Sequence, residues 1–99
     1  MPIGPTRVVP EELAGELRSL GERYGVRNIR VFGSFARGEV GQGSDLDLLV
    51  EYVPGQSGFA FFRFCREAEE RLGRKVDVAT EEGLHPPIRE RVLAEAVPL

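Results

Sequence analysis

The run Ser44-Asp45-Leu46-Asp47-Leu48 carries two carboxylates at i and i+2, with leucines between and after them. On a β-strand that spacing sends Asp45 and Asp47 to one face and Leu46 and Leu48 to the other. Two like charges about 4 Å apart repel by roughly 4 kcal/mol at an effective dielectric of about 20. Either one acid stays protonated or something positive offsets the pair. A hard divalent cation such as Mg²⁺ meets that need, because it takes carboxylate oxygens and keeps sites for phosphate oxygens. Upstream, Val31-Phe32-Gly33-Ser34-Phe35-Ala36-Arg37-Gly38 reads as a strand running into a small-residue turn. Gly33 lets the backbone approach a phosphate closely, and a helical turn after it offers unpaired N–H groups. Ser34 adds a hydroxyl donor, and Arg37, one helical turn on, can grip a phosphate with its planar fork. Each part also has a plainer use. Asp45 can cap a turn with Ser44 while Asp47 only faces solvent, Gly33-Ser34 can simply end a strand, and Arg37 can pair with Glu39. Taken together, a phosphate cradle beside an acid pair points to nucleotide chemistry.

The elements that must position these groups follow from periodicity and punctuation. Pro10 suits a first helical position, and Glu11 and Glu12 suit the positive end of a helix dipole. Leu13, Leu17, Leu20 and Tyr24 recur at helical spacing, and Gly25 is a stop. Asn28–Phe32 reads as a strand, the glycine-rich stretch 33–44 as turn and loop, and Asp45–Val53 as a second strand. Pro54-Gly55-Gln56-Ser57-Gly58 breaks the chain, with Ser57 a helix cap. A helix to about Leu72 is expected to bury Phe61, Cys65, Ala68 and Leu72, with Phe62 and Phe64 on its flanks. Lys75-Val76-Asp77-Val78-Ala79 alternates as a third strand. A last helix from Pro86 or Pro87 to about Ala96 is expected to bury Ile88 and Val92. The expected fold is α+β, a two-layer arrangement with a small mixed sheet and helices packed on one face. Val76 and Val78 then face the helices, so Asp77 faces the same open side as Asp45 and Asp47. Three carboxylates on one exposed surface suit a two-metal site; the plainer use of Asp77 is a solvent-facing residue screened by Lys75.

Ninety-nine residues suit one domain, spanning 1–99. The net charge of −3 argues against a nucleic-acid binder, without excluding a small anionic nucleotide. The single Cys65 removes any intramolecular disulfide and fits a reducing compartment. The start of the chain lacks a signal-peptide pattern, and no run approaches the ~20 apolar residues of a membrane span. A cytoplasmic protein without a membrane partner is expected. His85, before Pro86-Pro87, reads as a loop residue at the start of a helix. Phe59, Phe61, Phe62 and Phe64 cannot all face inward, so one or two stay exposed and suit a partner surface. Arg71, Arg74 and Lys75 form a basic corner, either solvated or in contact with a partner or a triphosphate.

Gly33-Ser34-Phe35-Ala36-Arg37-Gly38, Ser44-Asp45-Leu46-Asp47-Leu48 and Val76-Asp77-Val78 together resemble the polymerase-β-type nucleotidyltransferase superfamily, and the short chain resembles its minimal group. The resemblance runs from about residue 10 to the C-terminus. It implies a polymerase-β-like core and Mg²⁺-dependent transfer of a nucleoside monophosphate from a nucleoside triphosphate, with AMP from ATP expected here, to an acceptor hydroxyl. It assigns Asp45, Asp47 and Asp77 to catalysis and to holding two metal ions. It places Gly33 and Ser34 on the β- and γ-phosphates with Arg37 neutralising them, and Ser44 in the same phosphate-binding set. Members of the minimal group are often paired with a helical HEPN-domain toxin, whose tyrosine they can modify with AMP as the antitoxin. Additional domains that grip base or acceptor in larger members have no counterpart in this chain, so the acceptor or a second copy would complete the site. Two further readings stand beside this one. One is a non-catalytic antitoxin that neutralises its partner by covering it, and the other is transfer to a small-molecule hydroxyl such as that of an aminoglycoside. Acceptor, base preference and oligomeric state are left open.

Overall fold

In chain order the elements are α1 (Glu11–Tyr24), β1 (Val26–Phe32), β2 (Leu46–Tyr52), α2 (Gly58–Leu72), β3 (Val76–Thr80), α3 (Pro86–Glu95) and β4 (Val97–Pro98). The computed structural model describes residues 9–37, 45–55 and 58–99; Ser44, Ser57 and Glu39 therefore lie outside the described residues. Pro10 is the N-cap of α1 rather than its first helical residue, and its carbonyl accepts from Ala14 N–H at 2.9 Å. Gly25 ends the helix at φ 75°, a left-handed conformation that costs glycine little.

The sheet runs β3-β2-β1-β4. β1 is antiparallel to both β2 and β4, and β2 is parallel to β3, with α2 as the crossover that a parallel pair requires. β1 starts earlier than its sequence alternation suggests, because a bulge between Arg27 and Arg30 resets the pleat and lets both Val26 and Ile29 reach the core. The main core joins Leu17 and Leu20 of α1, Val31 of β1, Leu46, Leu48 and Val50 of β2, Phe64 and Ala68 of α2 and Val76 of β3. The mixed α+β fold expected from the sequence is the one observed, with corrections inside two helices. Phe64, expected on a flank of α2, is fully buried together with Ala68, while Phe61, Cys65 and Leu72 are only half-buried. In α3, Val92 is buried at 7% exposure but Ile88, in the first turn, is 40% exposed. β4 went unforeseen, since two residues give no alternation to read.

The buried apolar residues Leu49 and Val92 stand outside that core. Leu49 alternates with Leu48 and so shares a face with Asp47. α3 and the turn before it reach the same side: Glu81 bonds Arg30 at 3.2 Å, and Glu95 bonds the end of β1. The face that carries the acids is thus partly occupied rather than bare.

Candidate active site

Asp47 lies opposite Asp77 in the parallel register of β2 and β3. In-register neighbours on adjacent strands project to the same face, about 4.8 Å apart in backbone spacing. Asp45 precedes β2, where Leu46 N–H bonds the Lys75 carbonyl at 2.9 Å and so ties the start of β2 to the start of β3. The three acids therefore gather at one end of this strand pair. Their mutual influence is visible at Asp47, half-buried at the centre. Burial first, then the charges of Asp77 and Asp45, push its carboxyl above the usual carboxylate range, while Arg37 pulls it down.

The turn after β1 closes on the same spot. Gly33 adopts φ 74°, and a Cβ there would overlap the Asp47 carboxylate oxygen Oδ2. Glycine is required for both reasons, conformation and space. Arg37 N–H returns to the Gly33 carbonyl at 3.2 Å, forming the single helical turn expected, with Ser34 half-buried inside it. Phe35 packs against the main core, and the Arg74 guanidinium lies 4.9 Å from its ring centroid. Of the basic corner, Arg74 is thus brought to the turn, while Arg71 pairs with Glu16 of α1 at 2.8 Å. His85 is the exposed N-cap of α3, its carbonyl accepting from Ile88 and Arg89, as a residue at a helix start should.

One residue of this site was not anticipated. Glu95, the last residue of α3, accepts from Gly33 N–H at 2.7 Å and from the Arg37 guanidinium at 3.0 Å. These bonds, the backbone one first, hold its carboxyl below the usual range. The one sequence signal is its position: an acid at a helix C-terminus faces the negative end of the dipole and needs a positive partner.

No group of three His, Cys, Asp or Glu side chains among the described residues is close enough to cage a metal ion alone. What is present is an open, oxygen-only donor set on two strands. That chemistry fits Mg²⁺, which keeps several waters and completes its octahedron with substrate phosphate oxygens.

Residues 11–99 match the family model described as the nucleotidyltransferase domain. The chain belongs to that family. It is an enzyme of the nucleotidyltransferase class. Among curated relatives, a Methanocaldococcus jannaschii protein provisionally named a protein adenylyltransferase is 44% identical over 76% of this chain and 81% of its own length. The protein adenylyltransferase MntA of Thermococcus cleftensis is 39% identical over 86% of each chain. A solved structure provisionally named a minimal nucleotidyltransferase superposes with a TM-score of 0.78 at 45% identity, covering 87% of this chain and 88% of that one. The fold is also shared, at 17% identity and TM-score 0.71, with a toxin–antitoxin crystallised with AMP-PNP, over 86% of this chain and 70% of that one. A complex of a tri-AMPylated Shewanella oneidensis HEPN toxin with its MNT antitoxin shares it at 14% identity and TM-score 0.65, over 89% and 69%. The turn, Asp47 and Asp77 meet at one end of the β2–β3 pair, with Asp45 just before β2.

Proposed function

We propose that the chain transfers AMP from ATP to a protein hydroxyl, that of a tyrosine on a HEPN-type partner, with Mg²⁺ as cofactor and an antitoxin role. The observation that carries this reading is the register pairing of Asp47 with Asp77, with Asp45 and the Gly33–Arg37 turn set around it. Asp45 and Asp47 would hold two metal ions, with Asp77 contributing from the neighbouring strand. Bound there, Mg²⁺ would neutralise the triphosphate and lower the barrier to its displacement. Gly33 and Ser34 would donate to the β- and γ-phosphates, Arg37 would neutralise them, and Ser44 joins that set. Asp77, exposed beside Asp47, stands where an acceptor can approach. In the transfer the acceptor oxygen bonds the α-phosphorus, the bond to the bridging oxygen breaks, pyrophosphate leaves, and Asp77 takes the hydroxyl proton.

Names of relatives that are protein adenylyltransferases support a protein acceptor, and the HEPN complex of a distant fold neighbour supports the partner class. The exposed Phe59 and Phe62, at 79% and 58%, favour a second reading in which contact alone neutralises the partner. Incubating the chain and the product of its neighbouring gene with labelled ATP and Mg²⁺ separates the two. Label on a tyrosine of the partner is expected. A tight complex with no label, unchanged in Asp45→Asn and Asp47→Asn, contradicts the transferase reading and leaves the binder.

A further inference from the structure

We infer that Glu95 is a built-in occupant of the phosphate seat, and that ATP binds only after this carboxylate leaves Gly33 and Arg37. The inference rests on the reading of Gly33 and Arg37 as phosphate donors and adds a competitor for them. Gly33 N–H has a single proton, and at 2.7 Å Glu95 Oε2 holds it; at 3.0 Å Oε1 holds an Arg37 nitrogen. A carboxylate bridging a backbone N–H and a guanidinium presents two anionic oxygens to the donors that would otherwise meet phosphate oxygens. A phosphate brought beside it would meet a like charge and be repelled.

The fold places this residue through β4, which pairs Val97 with Val31 and so brings the end of α3 alongside the turn that follows β1, where Glu95 bonds Gly33. The tether is short: β4 has two residues, one of them a proline, followed by one bond from Leu99 N–H to the Ile29 carbonyl at 3.2 Å and by packing of Leu99 against the main core. The end of α3 with β4 is therefore a latch whose release costs few bonds. While it is closed, only the fraction of molecules with the seat free is competent, and apparent affinity falls by that fraction.

The test is the dissociation constant of a fluorescent ATP analogue with Mg²⁺ for the full chain and for Glu95→Gln, Glu95→Ala, Arg37→Ala and Glu95→Ala with Arg37→Ala. Glu95→Ala is expected to bind about 3- to 10-fold tighter than wild type, with Glu95→Gln between them. Arg37→Ala is expected to weaken binding more strongly in the Glu95→Ala background than in the wild type, where Glu95 already occupies the guanidinium. Equal or weaker binding by both Glu95 variants, with Arg37→Ala still weakening it, overturns the latch while the phosphate seat stands. Binding indifferent to Arg37 in both backgrounds overturns the seat and the latch with it. Thermal melts confirm that each variant is folded, and Glu95→Gln, which keeps an acceptor for Gly33, decides the matter if Glu95→Ala does not fold.

Discussion

Asp47 lies at the centre of the candidate site, and its neighbours dictate how it responds to substitution. Asp45→Asn and Asp47→Asn are each expected to lower transfer by about 10³-fold or more in a labelled-ATP assay, because neither amide can neutralise a metal ion. Stability should move the other way. A carboxyl raised above its unfolded value stabilises the fold while protonated, and that contribution is lost as pH rises through the folded value. At neutral pH ionised Asp47 therefore works against folding, through burial and the charges of Asp77 and Asp45. Metal-free Asp47→Asn should be at least as stable as the wild type at pH 7, with a gain of less than about 1 kcal/mol in unfolding free energy given solvent screening and the difference fading below about pH 4. A clear drop in melting temperature at pH 7 would mark Asp47 as a structural acid. Gly33→Ala forces a side chain into the left-handed region and onto the Asp47 carboxylate. It should cost about 1–2 kcal/mol in denaturant melts and lower transfer at least about tenfold. The placement of these residues was legible in sequence because D-x-D on a strand and Gly-Ser at a strand end each imply a geometry. Glu95 was not, because its partners Gly33 and Arg37 lie 62 and 58 positions away and only the pairing of β4 unites them.

At the scale of elements, α2 shows how far helical spacing carries a reading. Phe61, Phe64, Cys65, Ala68 and Leu72 all fall on one broad face, and spacing alone does not say which ring takes the centre. The structure gives it to Phe64 and leaves Phe59 and Phe62 outside. Phe64→Ala should therefore cost about 3–5 kcal/mol in chemical denaturation, and Phe62→Ala less than about 0.5. Equal effects would contradict the packing. β3 was readable from clean alternation at Val76, Asp77 and Val78, whereas β1 was cut short by the bulge at Asn28, where alternation fails. α3 adds a pH signature. The carboxyl of Glu95 is lowered by Gly33 N–H and then by Arg37, so its stabilisation is present above the unfolded carboxylate value and lost as pH falls through the lowered one. Wild type and Glu95→Gln should differ in melting temperature at pH 7 and converge under strongly acid conditions.

For the whole molecule, two helices and the main core occupy one side of the sheet, and the acids, the turn and the end of α3 occupy the other. No described helix is long and apolar enough to cross a membrane. With a net charge of −3, attraction of an anionic nucleotide would fall to local groups such as the Arg37 guanidinium rather than to a global field. The central claim is spatial: the carboxylates at 45, 47 and 77 gather divalent ions under a triphosphate seated on the Gly33 turn. A crystal structure of the chain with Mn²⁺ and a non-hydrolysable ATP analogue, read by the anomalous signal of the metal, tests it most directly. The account predicts metal within about 2.2 Å of Asp45 and Asp47 oxygens, the β- and γ-phosphates on Gly33 and Ser34, and Glu95 displaced. Metal and triphosphate bound away from these acids, with Asp77 remote from both, would contradict it.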